Sequence, residues 1–377
     1  MSFFSKGCKA HRNRNSSNVP KNYSQWRERA QELRLQTTTP HNLSSLHPAS
    51  KMTEEEFLSM RALWPKRNRV KEFPRFDAAT AEKVTLLMND CSELEAYLQQ
   101  VRNPHNAGFD RALGAFLLVR LSQQSVQSEP IAAYIQPSRS KTRPKRVTRR
   151  PSFLGMAMKV DCEMLDSQSS EESLSEVSSA ADFPITPGRT EDEQIVNDAL
   201  LQFLTALVIY YPDSKCQWTS ARSPFGKTKF GQNSMKARTD GYLTANGEVF
   251  AIVEVKPQIR DRKRRPEVLW QETGEMVAWI MRDGKHGRKC PVRRRLLISQ
   301  DNHEIFLTIA SYKKRYVNYL NNGNISKSTK SSFLTMKEYG PWIITRSSDM
   351  RDLARIILSL AVEVTDDLAR HEHTQQN

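Results

Sequence analysis

One stretch, residues 239–257, constrains the fold more than any other part of this chain of 377 residues. Two runs of strand-forming residues flank Asn246-Gly247, a dipeptide that strongly favours a tight hairpin turn. The first run carries Asp240, and the second ends in Glu-Val-Lys at 254–256. The sequence therefore predicts a β-hairpin with one carboxylate on its first strand and a carboxylate and an amine on its second.

The register of this hairpin decides whether Asp240 and Glu254 can meet, because side chains alternate between the faces of a strand. A two-residue turn would set Asp240 opposite Val253 and send the two carboxylates to opposite faces. A three-residue loop over 245–247, or a bulge, would bring them to one face, and we predict one of these. On the second strand, simple alternation groups Glu254 with Phe250, Ile252 and Lys256.

Two carboxylates beside a lysine have a specific chemical use. Hard oxygen ligands of this kind suit Mg²⁺ or Mn²⁺, which also take phosphate oxygens. We expect Asp240 and Glu254 to hold such an ion, and Lys256 to orient the attacking water or stabilise the pentacovalent state. The simpler alternative is a Glu254–Lys256 ion pair at the end of a strand.

The composition favours a partner that carries negative charge. The net charge is +15 and the sequence pI about 9.6, values that attract nucleic acid but are also met in ribosome-like or simply soluble basic proteins. The five cysteines are widely spaced, so we expect neither a disulfide framework nor a zinc site. No signal-like or membrane-spanning apolar run is present, which predicts an intracellular protein without a membrane partner.

The composition of the first half of the chain divides it into three segments. Residues 1–50 are polar and basic, which predicts disorder. Residues 51–130 read as helical, opened by a capping box at 53–56, and form either a unit of their own or a layer on the domain downstream. Residues 131–189 predict a disordered linker, with a basic cluster at 139–150 followed by an acidic serine-rich tract.

From residue 190 to about 372 the periodicity is dense and alternates between helix and strand. Helices are predicted at 190–211, 266–283 and 349–370, with strands between them at 216–256, 293–299, 304–311, 332–336 and 341–345. This order predicts an α/β sandwich with a central mixed β-sheet flanked by helices.

The arrangement resembles the PD-(D/E)XK nuclease superfamily. Asp240, Glu254 and Lys256 match its motif residue by residue, although Thr239 stands where the motif has proline. The closer resemblance is to the PD-(D/E)XK nuclease-like domain of many fungal proteins, over roughly half of the chain. Its EVKP strand, its helix and its late EYGPW segment match here at 254–257, Gln271, Glu272, Met276, Ala278, Trp279 and 338–342.

This resemblance implies a restriction-endonuclease-like sandwich that hydrolyses phosphodiester bonds of DNA, or of RNA, with a divalent metal. It also implies that Glu193 assists metal binding and that Gln271 contacts the site. Glu193 has an alternative role as the last residue of a capping box that starts at Thr190. Gln271 has an alternative as an exposed polar residue of its helix.

A run of basic residues follows the hairpin and lies near the expected site. It could track a phosphate backbone or be a solvated loop, and comprises Arg260, Arg262, Lys263, Arg264 and Arg265. Two alternatives to a nuclease remain open. One is a catalytically inactive nuclease fold that binds nucleic acid, and the other is a scaffold acting through its charged disordered segments. The basic cluster at 139–150 and the nucleic-acid argument together predict a nuclear location.

Overall fold

The computed structural model describes residues 19–103, 110–127, 192–222, 225–285, 295–324 and 332–376. These residues all belong to one compact unit. The predicted linker, with its basic cluster and acidic tract, lies outside the described residues, and so does the chain before residue 19.

Helices and strands alternate through most of the described chain. The helices are α1 (Tyr23–Glu32), α2 (Glu54–Ser59), α3 (Ala78–Asp90), α4 (Ser92–Arg102), α5 (Phe116–Gln127), α6 (Glu193–Ile209), α7 (Glu267–Lys285), α8 (Lys314–Asn322) and α9 (Ser347–Gln376). The strands are β1 (Ala62–Leu63), β2 (Gln217–Thr219), β3 (Lys227–Phe230), β4 (Asn233–Lys236), β5 (Gly241–Ala245), β6 (Glu248–Lys256), β7 (Arg295–Asp301), β8 (Glu304–Ser311) and β9 (Leu334–Ile343).

The centre of the fold is a mixed sheet of seven strands in the order β1-β9-β8-β7-β6-β5-β2, with β3 and β4 as a separate hairpin. The pairs β6–β7 and β1–β9 are parallel, and the other neighbours are antiparallel. Helix α7 connects the parallel strands β6 and β7, as a crossover between parallel neighbours requires. The predicted α/β class with a mixed central sheet flanked by helices is confirmed.

Alternating residues of the sheet enter two separate apolar cores. Val253 and Val255 of β6 pack in one core with α3 to α6 and α9, whereas Ile252 packs in the other with α1, α2, α7 and α8. Each face of the sheet is therefore covered by helices, as a strand rich in valine and isoleucine requires. The helices α3 to α5 share the first core, so residues 51–130 are a layer of this domain rather than a unit of their own.

The hairpin of β5 and β6 combines a two-residue turn with a bulge. Asn246 and Gly247 have φ values of 49° and 74° and form a two-residue turn, with Ala245 opposite Glu248. A bulge then lies in β6, because Leu243 pairs with Ala251 and Thr244 with Val249, which leaves Phe250 without a partner residue on β5. Of the two features that we predicted as alternatives, the structure has the bulge and not the three-residue loop.

The bulge has two consequences for the faces of β6. Phe250 packs with its neighbour Ala251 in the first core, so the predicted grouping of Phe250 with Glu254 is wrong. Beyond the bulge the register is offset by one residue, with Gly241 opposite Val253. This offset brings Asp240 level with Glu254 instead of Val253.

The described part of the predicted disordered N-terminus, residues 19–50, is folded. Trp26 is 5% exposed, and its indole N–H donates to Leu58 O at 2.9 Å. Ala49 packs so closely on α7 that a Cβ at Gly274 would lie 2.8 Å from the Ala49 Cβ. The prediction failed because this segment has few apolar residues of its own, and buries them against surfaces of α2 and α7 that composition does not reveal.

Some boundaries also differ from the predicted ones. The capping box at Thr53 and Glu56 is present at the start of α2. Within the region predicted as helical, the chain breaks at Cys91 between α3 and α4. Residues 334–343 form one strand rather than parts of two, and α8 was not predicted.

Candidate metal centre

Glu254 stands near the end of β6 on the face that α7 covers. Its neighbour in the sheet is Ser299 of the parallel strand β7, and the side chain is 2% exposed. One carboxylate oxygen, Oε1, accepts hydrogen bonds from Lys256 Nζ at 2.6 Å and from Gln271 Nε2. Among the described residues, no N–H or hydroxyl group donates to the other oxygen, Oε2.

Asp240 lies one residue before β5 and is held by backbone groups. Its N–H donates to Val253 O at 2.9 Å, and its Oδ2 accepts from the N–H of Val255 at 3.0 Å. Asn197 of α6 donates to the Asp240 carbonyl at 3.3 Å, which ties this backbone to the helix. The other carboxylate oxygen, Oδ1, lies 3.4 Å from the guanidinium of the exposed Arg222.

Glu193 is the first residue of α6 and completes the site. Asp192 caps this helix by accepting from the N–H of Gln194, so the predicted capping box ending at Glu193 is wrong. Thr190 lies outside the described residues. Glu193 points instead to the hairpin, where one oxygen from each of Glu193, Asp240 and Glu254 lies within 4.8 Å of the others. We call these three residues the acidic triad.

Lys256 is the cation of this site. Its amino group lies 2.6 Å from Glu254 Oε1 and 3.0 Å from Glu193 Oε1, with only 14% of the side chain exposed. Burial is the largest single effect on the pKa of Lys256 and lowers it, but the combined effects of Glu254 and Glu193 outweigh burial and raise the pKa. The amine is therefore protonated at neutral pH. The predicted ion pair between Glu254 and Lys256 is thus present within the wider group.

Gln271 of α7 is buried and contacts the site, so its exposed alternative is wrong. Its side-chain amide donates both to Glu254 and to Glu275 Oε1, the latter at 2.9 Å. Glu275 is fully buried, and its Oε2 also receives no N–H or hydroxyl donor from the described residues. The carboxyl groups of Glu254 and Glu275 are within hydrogen-bonding reach of each other.

Negative charge is in excess here, and the pKa values reflect it. Burial, opposed by Lys256 and reinforced by Asp240, raises the pKa of Glu254 to about 8. Burial and the nearby Glu254 raise the pKa of Glu275, and burial also raises that of Asp240. Without a further cation, one or more of these buried carboxyl groups must therefore hold a proton at neutral pH.

The same features fit a metal ion. A buried carboxylate oxygen without a donor is costly, and a cation at Glu254 Oε2 would satisfy it. The donors are all carboxylate oxygens, the type that Mg²⁺ and Mn²⁺ prefer. The acidic triad could therefore hold a metal ion, and the three elements that carry it are fixed by the sheet, the bulge and the start of α6.

The predicted basic loop begins in the interior, with Arg260, and continues towards the surface. Arg260 has 1% of its side chain exposed and lies among carboxylates, with Asp301 Oδ2 at 2.7 Å from Nε, Glu338 Oε2 at 3.0 Å from one terminal nitrogen and Glu272 Oε1 at the other. Arg262 lies 2.9 Å from Glu338 and donates to Pro65 O. The prediction that Arg260 faces a phosphate backbone is wrong, because three buried carboxylates from separate segments surround it. Arg262 keeps 21% of its side chain exposed.

Arg260, Arg262 and their carboxylate partners form a group that we call the arginine cluster. Arg67 also belongs to it, because it bonds to Glu338. The cluster comprises Arg67, Arg260, Arg262, Glu272, Asp301 and Glu338. The rest of the basic loop is near the surface. Lys263 and Arg264 are exposed, whereas Arg265 is partly buried and pairs with Glu267 at 3.2 Å.

Three residues of the site were not identified in the sequence. Glu275 is one helical turn after Gln271, and Asn197 one turn after Glu193, so each shares a helix face with a residue that was identified. That spacing is a signal that could have found them. Arg222 follows the edge strand β2, and no local pattern marks it.

None of the helices in the described ranges is long and apolar enough to cross a membrane. No family model, no curated protein and no solved structure matches the chain.

Proposed function

We propose that this chain is a divalent-metal-dependent nuclease of the restriction-endonuclease-like type, acting on phosphodiester bonds of DNA or, less favoured, RNA. The observation that carries the proposal is the acidic triad, whose carboxylates come from α6, from the residue before β5 and from β6. One oxygen of each lies within 4.8 Å of the others, beside a protonated lysine. The net charge of +15 supports a polyanionic substrate.

In this proposal Asp240 and Glu254 hold Mg²⁺ or Mn²⁺, with Glu193 as a third ligand. When bound, the ion lowers the pKa of a coordinated water and neutralises charge on the phosphate. Gln271 fixes the orientation of the Glu254 carboxylate through its hydrogen bond to Oε1. The hydrogen bonds from Val255 and Asn197 hold Asp240 in the same way.

Lys256 supplies a positive charge at the site, in addition to that of the metal ion. In hydrolysis, the water oxygen forms a bond to phosphorus as the bond from phosphorus to the leaving sugar oxygen breaks. The ammonium group can orient the attacking water or donate a hydrogen bond to the pentacovalent phosphorane, whose negative charge is greater than that of the diester. Its two carboxylate partners keep it protonated and in place.

The test is cleavage of plasmid and single-stranded DNA by the full chain in Mg²⁺ or Mn²⁺. We expect Glu254→Ala and Lys256→Ala each to lower the rate about 10²–10³-fold or more. The exposed Glu82 of α3 provides a matched control, Glu82→Ala, which should cleave like the parent. Equal cleavage by the parent and the site variants would mean that a contaminant is responsible.

Two outcomes would favour other functions. Binding without cleavage, weakened steeply by salt, would favour an inactive nuclease fold that binds nucleic acid. Loss of partner contacts only on deletion of 139–182 would favour the scaffold. We also propose a nuclear location, because of the basic cluster at 139–150, and fusion of that segment to a fluorescent protein would test it.

A further inference from the structure

A second candidate site lies beside the arginine cluster. It is a pocket of about 570 Å³ between the loop after β6 and the segments around residues 19–21 and 64–67. Arg260 and Arg262 form its floor, and Lys21, Lys66 and Lys263 stand on its walls. The N-terminal segment whose composition predicts disorder contributes Val19 and Lys21 to this pocket.

Among the described residues, the lysines that line this pocket lack the carboxylate partners that the arginines have. The arginines are paired with the buried carboxylates of the arginine cluster. Lys21 and Lys66 form no ion pair with any described residue, and both are exposed. Asp261, which is the acid on the wall, pairs with Arg264 at 3.7 Å. The rim therefore attracts an anion.

The wall also offers apolar surface next to these cations. Ile259 is 52% exposed and lines the pocket with Leu269 and Val19. A combination of lysines and apolar surface fits a nucleotide, whose phosphate takes the positive charge and whose sugar and base take the apolar contact. Because the pocket has the volume of a small-ligand site, it suits the accessible, unstacked nucleotides of a single strand.

A short series of contacts joins the pocket to the acidic triad. Arg260 on the floor bonds to Glu272 of α7, and the preceding residue, Gln271, bonds to Glu254. Ser299 lies beside Glu254 in the sheet and donates to Glu272 at 2.7 Å. The pocket and the triad are therefore linked through buried residues of α7 and β7.

We infer that this pocket binds a single-stranded segment of the substrate, so that the chain prefers single strands or duplexes with a single-stranded extension over blunt duplexes. The inference rests on the proposed function, which it deepens by naming the substrate class. It also assigns phosphate contacts to Lys21, Lys66 and Lys263, since the buried Arg260 is held by carboxylates.

The test is equilibrium binding without metal, in EDTA, so that cleavage does not enter. Fluorescence anisotropy with the full chain would compare a single-stranded DNA of about ten nucleotides, the same sequence as RNA, and a blunt duplex. The variant is Lys66→Ala with Lys263→Ala. The control is Lys227→Ala with Lys229→Ala, which removes two exposed lysines from β3 and makes the same change in net charge.

We expect the pocket variant to bind the single strand about tenfold more weakly and with a salt slope lower by about 1.4, since each lost phosphate contact removes about 0.7. The control should change affinity less than twofold. Equal losses in both variants, or a blunt duplex that binds as tightly as the single strand, would overturn the inference. If the parent does not cleave nucleic acid but the pocket variant still loses binding, only the proposed nuclease activity is refuted. If the parent cleaves and the pocket variant binds the single strand like the parent, only the inference about the pocket is refuted.

Discussion

Two groups of buried carboxylates lie side by side in this fold, and they differ in how their charge is balanced. The arginine cluster sets Arg67, Arg260 and Arg262 against three carboxylates. The acidic triad and Glu275 have Lys256 as their one buried cation among the described residues, with the exposed Arg222 at the edge. Helix α7 supplies consecutive residues to the two groups, Gln271 to the triad and Glu272 to the cluster.

The pKa values of Glu338 and Glu254 differ in the same way. Burial alone would raise the pKa of Glu338, but the three arginines outweigh it and hold the value at about 2. At Glu272 of the same cluster burial is the stronger effect, and the pKa is raised against the opposition of Arg260. Glu254, with one lysine, has a pKa of about 8. A balanced cluster stabilises a fold, whereas an excess of buried carboxylates leaves a place for a cation to bind.

The largest effect should come from breaking the balanced group. Arg260→Met would leave three buried carboxylates short of their shared partner, and we expect a loss of about 3–5 kcal/mol in the free energy of unfolding. Urea denaturation would measure it. Arg264→Met, at an 89% exposed side chain of the same loop, should change stability by less than about 0.5 kcal/mol. Similar losses in the two variants would contradict the role of the cluster.

The unbalanced group predicts a pH dependence of stability. The unfolded chain releases the proton of Glu254 near pH 4.5, whereas the folded chain keeps it up to about pH 8. The metal-free protein should therefore lose stability as pH rises between these two values. Lys256 does not oppose this slope, because its pKa is raised in the folded state and its contribution is constant below pH 10.5. The effect of Glu254 is on the order of 2–4 kcal/mol.

Thermal denaturation in EDTA across this pH range would test the slope. Glu254→Gln, which cannot ionise at this position, should lower the slope by the share of Glu254 and leave that of Glu275 and Asp240. It should also be more stable than the parent at pH 8. Glu82→Gln should keep the parental slope. The arginine cluster predicts the opposite sign at Glu338, whose stabilisation is lost only as pH falls from 4.5 towards 2. A parental slope in Glu254→Gln would assign the dependence to other groups.

A smaller effect should follow from removing the residue that orients Glu254. Gln271→Leu takes away its hydrogen bonds to Glu254 and Glu275, and we expect Mn²⁺ affinity to fall about 10–100-fold. Isothermal titration calorimetry would measure this. Gln99 of α4 also donates to a glutamate one turn away, so Gln99→Leu is a matched control that should bind Mn²⁺ like the parent. An unchanged affinity in Gln271→Leu would show that Glu254 needs no such support.

The smallest effect concerns Ser299, which lies between the two groups. Ser299→Ala removes the hydroxyl donor to Glu272 and should lower stability by about 1.5 kcal/mol. Since Ser299 forms no hydrogen bond with the triad in the described structure, Mn²⁺ affinity should change less than twofold. A large loss of Mn²⁺ binding would mean that the two groups act as one.

The sequence predicted those parts of the site that depend on local spacing. The hairpin, the Glu-Val-Lys triplet and Gln271 were found because strands and helices place such residues at fixed intervals. The bulge at Phe250 was predicted only as an alternative to a three-residue loop, since either feature shifts the pairing of the two strands by one residue. Glu193 could not be assigned from its position alone, because an acidic residue in the first turn of a helix suits both a cap and a ligand.

The rest depended on contacts between distant segments. Arg260 looks like a surface residue in its basic run, and its partners Glu272, Asp301 and Glu338 are up to 78 residues away. Residues 19–50 have a polar composition, yet Trp26 and Ala49 are buried on surfaces formed by later helices. Such burial is a property of the partner surface, which composition does not reveal.

The central claim is that the acidic triad is a place for a divalent cation. Titration of the full, metal-free chain with Mn²⁺ at pH 8, followed by electron paramagnetic resonance of the free ion, tests it directly. We predict a single site in the parent and in Glu82→Gln, and its loss in Glu254→Gln and Asp240→Asn. Equal Mn²⁺ binding by the parent and by these two triad variants would contradict the account.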